Sequence, residues 1–311
     1  MLSRTASSLY WLGRYVERAD FIARLVEATI RLDVLSARPA GQAAWLSALA
    51  VTDTEAAFKA TGASLTREAV SRFLTSDSSH PGSLMRSLDM ARMNARAVRT
   101  ALTREAWSAI NGAWLVFDKR VSRLDPDRAL ALVDAVKAET RGFEGALHRM
   151  LRNQTTLFIR LGQATERVDN TARLLDVKYH ILLPEGQEVG GAVDRDQWTT
   201  ILQTVSAVTA FRWIYNDGLL PANVIDLLLS RVELPRSIAG AIEEVTDVLT
   251  QLAKRTGTNG EADRMARTRH ARVSKTRTSD VILSGLHQHL EALIAENDQL
   301  HAAIGRQFKF S

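Results

Sequence analysis

Cysteine is absent from the 311 residues, which excludes disulfides, thiolate catalysis and cysteine-based zinc or iron–sulfur sites. A reducing, cytoplasmic setting fits that absence. No apolar run approaches the roughly 18 residues that a membrane span needs, and residues 1–20 lack the uninterrupted apolar segment of a secretory signal. Glu17 and Asp20 speak against a transit peptide, so this stretch is read as mature helix. Also missing are a glycine-rich phosphate loop, a His-Glu-x-x-His pair and a Gly-x-Ser-x-Gly elbow. No cofactor is therefore called for, and nothing in the chain reads as a self-sufficient catalytic machine.

What is present describes an ordinary folded chain, 46% hydrophobic and 24% charged. Its length suits one large domain or two halves of about 150 residues. The formal charge of +5 is concentrated between Lys254 and Arg277, where eight basic residues face only Glu261 and Asp263. That stretch has no aromatic residue for base stacking, so it is read as a solvated charged helix and nucleic acid is not the expected partner.

Six prolines and a few Gly or Asn clusters punctuate segments of helical periodicity, and no alternating strand pattern interrupts them. The pattern predicts helices over 3–36, 43–60, 154–183, 197–215, 222–230, 237–255 and 279–307. A short helix is expected after Ser64, another with Ser83 as N-cap, and another starting at Asp125-Pro126. Thr256 to Gly260 is read as an exposed loop. Trp107, Trp114 and Trp213 are expected as core anchors.

The chain also repeats itself. Residues 12–25 lie over residues 161–174 at an offset of 149, with Leu, Gly, Glu, Arg, Asp, Ala, Arg and Leu coinciding. Trp45 and Trp198 follow at 153, as do Phe58 and Phe211, and Pro81-x-Ser83 and Pro235-x-Ser237 at 154. The expected fold is all-α and internally duplicated, with halves 1–149 and 150–311 about a pseudo-twofold axis and the two first helices adjacent.

At 100° per residue, Gly13, Glu17, Asp20 and Arg24 form one stripe, and Gly162, Glu166, Asp169 and Arg173 form its equivalent. The stripe extends to Glu27 and Arg31 in the first copy and to Asp176 and His180 in the second. Glycine inside a helix costs roughly 1 kcal/mol against Ala, so its recurrence suggests close backbone approach. Asp20 with Arg24 and Asp169 with Arg173 have the spacing of helical ion pairs. Arg18 and Arg167 point away from the stripe and are assigned to structural ion pairs with neighbouring helices.

Three readings of the stripe stand side by side. It is a structural clamp between the halves, or a groove in which the arginines hold carboxylate or phosphate and the carboxylates hold an amine. The third is a carboxylate metal centre. Only His180 lies on the stripe for that purpose, and the arginines compete for the carboxylates, so no metal ligand is assigned. His287 and His289 lie about 200° apart on a helix and would not chelate together.

At Leu12 to Asp20 and the echo Ala164 to Asp169, the chain resembles the bacterial alpha-E family, named for a helical domain with a recurrent Glu-Arg motif. Further matching stretches are residues 91–96, 105–111, 176–184 and 235–238; the region 256–275 departs from the pattern. The resemblance implies a partnership with a circularly permuted ATP-grasp protein of the amide-ligase type, encoded beside the chain or fused to it, often with a transglutaminase-like protease nearby. On that analogy this chain is the helical companion of an enzyme that makes amide or peptide bonds.

Overall fold

The computed structural model describes residues 1–35, 38–121, 129–180, 191–257 and 259–310; the start expected at Asp125-Pro126 and the side chain of His180 lie outside the described residues. Every regular element among them is helical. The order is α1 (Ser3–Leu35), α2 (Arg38–Val51), α3 (Glu55–Ala60), α4 (Arg67–Thr75), α5 (Leu84–Ala97), α6 (Arg104–Val121), α7 (Ala129–Arg149) and α8 (Gln154–His180). There follow α9 (Ala192–Thr204), α10 (Val208–Ile214), α11 (Pro221–Ser230), α12 (Ile238–Thr256), α13 (Glu261–Val273), α14 (Thr278–Ser284) and α15 (Leu286–Phe308). No described helix is long and apolar enough to cross a membrane.

Local chemistry sets many of these ends. Ser83 and Ser237 each follow Pro-x and cap α5 and α12, accepting from the backbone of Arg86 and Gly240. Gly257 ends α12 in the left-handed region at φ 69°. Two helices predicted as continuous are broken at residues that give no such signal. Asp53 (φ 55°) separates α2 from α3, and Ser206 (φ 59°) separates α9 from α10. A left-handed non-glycine residue costs roughly 1–2 kcal/mol. Here the same two backbone bonds offset it at both places: Thr54 donates to Leu49 and Asp53 to Ala50, as Ala207 does to Leu202 and Ser206 to Gln203. The turns aim Phe58 and Phe211 into the core. Gly285 (φ 115°) likewise splits the helix predicted over 279–307.

The basic stretch is helical as expected, forming α13 within residues 256–275, but its charges are not all solvated, which corrects the reading of them. Arg269 is buried and donates to Asn297 Oδ1 at 3.1 Å and the Leu293 carbonyl at 3.2 Å, while Arg272 pairs with Glu296. Burial pulls the Arg269 guanidinium down to about 10. The segment is thus pinned to α15 by part of its basic excess, with Arg264, Arg267, Lys275 and Arg277 in solvent. Trp213 also departs from expectation: it is 81% exposed. Trp107 and Trp114 are half-buried, under the guanidiniums of Arg99 and Arg92.

α1 is central, packed most extensively on α8 and α5 and further on α7, α2 and α9. Two apolar clusters fill the interior, and each draws on both sequence halves. One gathers Leu9, Leu12 and Val16 of α1 with Leu157, Leu161 and Ala164 of α8. The other begins at Ala19 on α1 and Val168 on α8. Between them, at 17–18 and 166–167, lies a layer of charge.

Candidate functional site

The charged layer exists because α1 and α8 touch backbone to backbone one turn earlier. A Cβ on Gly13 would stand 2.1 Å from the Ile159 carbonyl oxygen, and one on Gly162 would stand 2.0 Å from that of Tyr10. Both partners and both glycines are 149 positions apart in sequence. The approach brings the following turns within reach of each other, and the two Glu-Arg dipeptides exchange partners. Arg18 Nε donates to Glu166 Oε1 at 2.6 Å, and Arg167 Nη2 meets Glu17 Oε2 at 2.8 Å.

Each glutamate also takes a second guanidinium. Arg14 Nε donates to Glu166 Oε2 at 2.6 Å, and Arg236, just before α12, lies 3.4 Å from Glu17 Oε1 and 2.9 Å from Asp20 Oδ2. Glu17, Asp20, Glu166 and Arg14 are buried. An isolated buried charge costs several kcal/mol, so this pairing is a condition of folding. Burial alone would raise the Glu166 carboxyl; Arg14 and Arg18 outweigh it and hold the group down at about 2. Arg236 and Arg24 likewise overcome burial at Asp20 and lower it. Asp169 moves the other way: burial raises it, and Arg173 offsets only part of that. Glu144 at the layer's edge is raised by burial and by Glu17.

The stripe residues therefore do not form one continuous groove. The helical pairs form as the spacing suggests, with Arg24 Nε 2.6 Å from Asp20 and Arg173 Nε 3.0 Å from Asp169. Arg24 then reaches Ser206 and borders one cavity with Glu27 and Arg31, while Arg173 reaches Asp53 and borders another with Arg18 and Glu166. A larger cleft of about 750 Å³ opens on the opposite side of the layer, where Arg167, Arg236 and Glu144 meet Arg160 and Gln163. Farther along, Glu27 pairs with Arg31 and Lys137, and Asp176 with His287. Among the described residues no group of three or more His, Asp or Glu is spaced to hold a metal ion.

Sequence reasoning found the stripe but missed Arg14, Thr140, Glu144 and Arg236, which complete it from other turns and other helices. Arg14 precedes Glu17 by one turn, and Arg236 sits inside the repeated Pro-x-Ser element, so both were adjacent to recognised signals. Thr140, which donates to Asp20 Oδ1 at 2.7 Å, carried none.

Next to the glycine crossing, Tyr10 bonds His301 Nδ1 at 2.9 Å and stacks on its ring. Burial first, and then Arg14, lower His301 to about 4. A folded value below the unfolded 6.5 means that this stability is full above about pH 6.5 and is lost as pH falls through about 4. The His301 ring protons should accordingly titrate by NMR with a midpoint near 4. A midpoint near 6.5 would show that the ring is not enclosed.

The family description "a predicted alpha-helical domain with a conserved ER motif", Alpha-E, matches residues 1–308. This chain carries the dipeptide at Glu17-Arg18 and Glu166-Arg167. An uncharacterized protein of Mycobacterium bovis and one of Mycobacterium tuberculosis are each 24% identical to it over 345 aligned positions, covering 97% of this chain and 35% of their own length. The chain thus spans about a third of the curated relatives it matches. No solved structure matches.

Proposed function

The chain belongs to the Alpha-E family, and from that premise we propose that it is the helical companion of an ATP-grasp enzyme that forms amide or peptide bonds. In this reading it is cytoplasmic and consists of two copies of one helical unit, 1–149 and 150–311. The observation that carries the reading is the exchange of guanidinium and carboxylate between the two Glu-Arg dipeptides at a glycine crossing, with polar cavities on either side of it. Such a layer can recognise charged groups, while the sequence has no nucleotide-binding loop, so ATP chemistry falls to the partner. The length of the mycobacterial relatives outside the match leaves room for a fused partner of that kind. A transglutaminase-like protease is a second expected associate.

The reciprocal contacts at Tyr10/Gly162 and Ile159/Gly13, and the matched turns at Asp53 and Ser206, support the duplication. The alternative of a stand-alone carboxylate metal enzyme is disfavoured because arginines engage the stripe carboxylates. A nucleic-acid role is disfavoured by the burial of Arg269 and the pairing of Arg272.

Affinity capture with the intact chain from cells that encode it, followed by mass spectrometry, should recover an ATP-grasp protein. Adding the chain to that protein should raise its ATP-dependent product formation. Recovery of no ATP-grasp protein, or an ATP-grasp activity indifferent to the chain, would overturn the reading. Iron, manganese or zinc retained in stoichiometric amount by the purified chain would favour the metal enzyme instead.

A further inference from the structure

The two buried glutamates draw their second guanidinium from different places. Glu166 receives Arg14, which lies one turn before Glu17 on α1 and is itself buried. The position 149 residues later is Gln163, so no arginine fills that turn of α8, and Glu17 is served instead by Arg236 from the start of α12. Beside Gln163 the cleft of about 750 Å³ opens between the end of α7, α8 and α12.

Arg167 and Arg236 meet at one end of this cleft, both on Glu17. Their bonds run through Nη2 and, for Arg236, Nε; Nη1 of each donates to nothing among the described residues. Neither Nη1 is sealed off by protein, since the only buried unpartnered nitrogen of the pair is Arg167 Nε. Glu144 is the remaining anion at this end, and it holds the two guanidiniums loosely, at 3.3 and 3.7 Å. Burial, and then Glu17, raise its carboxyl, the mark of a group whose charged form is poorly stabilised. The guanidiniums thus stand fixed by Glu17 and Asp20, with donors to spare and a weak competitor for them.

Farther along α12 the cleft carries the opposite sign. Residues 240, 243, 244, 247 and 251 form one stripe of that helix along it. Arg160 Nε bonds Glu244 Oε1 at 2.7 Å and ties the stripe to α8, whereas Glu243 and Asp247 have no ionic or hydrogen-bond partner among the described residues. The exposed Arg152 borders the same cleft and pairs with neither. From Gly240 to Asp247 is about 10 Å of helix, the length of about three residues of extended chain. Leu147, Met150 and Val232 add apolar surface. We propose that the cleft binds a short peptide, with its C-terminal carboxylate on Nη1 of Arg167 and Arg236 and its N-terminal ammonium on Glu243 or Asp247. Opposite charges at that separation, with apolar surface beside them, match the two ends of a tripeptide and the small side chains between. The proposal rests on the reading of the charged layer as a recognition site and makes a peptide one of the components joined in the amide-forming reaction.

The test is calorimetric titration of the full chain, without partner, at neutral pH. Trialanine carries both end charges, its C-terminal amide lacks the carboxylate, its N-acetyl form lacks the ammonium, and alanine is too short to reach both ends. Trialanine should bind saturably at one site, and the other three should each bind about tenfold more weakly or worse. Replacing Arg167 or Arg236 risks unfolding, because both neutralise buried Glu17, so the variants are made elsewhere. Glu144→Gln removes the competing carboxylate and should tighten trialanine. The double variant Glu243→Gln with Asp247→Asn, on the half-buried and exposed face of α12, should weaken trialanine and leave the affinity of the N-acetyl form unchanged. No saturable binding of trialanine, equal affinity for its amide, or an unaltered affinity in the double variant would overturn the proposal. Alanine binding as tightly as trialanine would identify a free amino acid as the occupant and overturn the peptide. Capture of an ATP-grasp protein together with a failure of trialanine to bind would remove the cleft's role and leave the companion role standing. Peptide binding without any ligase partner would do the reverse.

Discussion

Glu166→Gln is expected to lower stability by about 3 kcal/mol, the lower end of the cost of breaking a buried ion pair. The change keeps the shape of the side chain but leaves Arg14 and Arg18 without the carboxylate that each of them bonds. The displacement of the Glu166 carboxyl from 4.5 to about 2 corresponds to a similar figure, about 3 kcal/mol, through proton linkage. Its sign follows from the direction. The folded value is depressed, so the contribution is full above about pH 4.5 and is lost as pH falls toward 2, and the variant's acid limb should flatten over that window. Chemical denaturation across pH 2–7 measures both effects.

Adding Arg14→Gln to Glu166→Gln should recover part of the loss, because the equivalent position on α8 is Gln163, itself buried. An additive double variant would refute the coupling. The same substitutions separate clamp from groove. If the proposed ligase partnership holds, Glu166→Gln should reduce product formation by that complex per folded molecule, and more than Glu17→Gln does. Equal stability losses with unchanged activity per folded molecule would leave a clamp alone.

Gly162→Ala reverses the usual sign of its substitution. In an exposed helix interior, Gly to Ala gains up to about 1 kcal/mol. At position 162 the new methyl would stand 2.0 Å from the Tyr10 carbonyl oxygen, a backbone atom that no rotamer change can move. The expected cost is about 3 kcal/mol or more, beyond the middle of the range for overpacking, because the helices must separate and stretch the ion pairs of the following turn. Gly13→Ala should do the same through Ile159. Gly145 in α7 is the control: a Cβ there meets nothing within 4 Å, so Gly145→Ala should stabilise by about 0.5–1 kcal/mol. Denaturation midpoints of the three variants decide the matter, and a Gly162→Ala protein as stable as wild type would show that the helices do not cross at this point.

Several features were legible because their causes are local. Ser83 and Ser237 cap helices through their own hydroxyls, Gly257 tolerates a positive φ, and Asp20-Arg24 and Asp169-Arg173 pair within one turn of helix. The recurrence of Gly, Glu, Asp and Arg at an offset of 149 needed only the letters. These sufficed for the helical class, the family resemblance and the identity of the charged stripe.

Direction around a helix is a property of sequence, but the neighbour met in that direction is not. That Glu166 is answered by Arg14 and Arg18, and Glu17 by Arg167 and Arg236, depends on how closely two helices approach and what a third brings to their crossing. Asp53 and Ser206 are ordinary residues in strained turns, chosen by the packing of the segments that follow. Arg269 lies within a run of solvated charge and is buried because α15 offers Asn297 and a carbonyl at the right depth. Above all, the contrast between Asp20, lowered by Arg236 and Arg24, and Asp169, raised by burial, is invisible in the shared letters Gly, Glu, Asp and Arg: it comes from Arg236, distant in sequence, which only the assembled fold sets against a buried carboxylate.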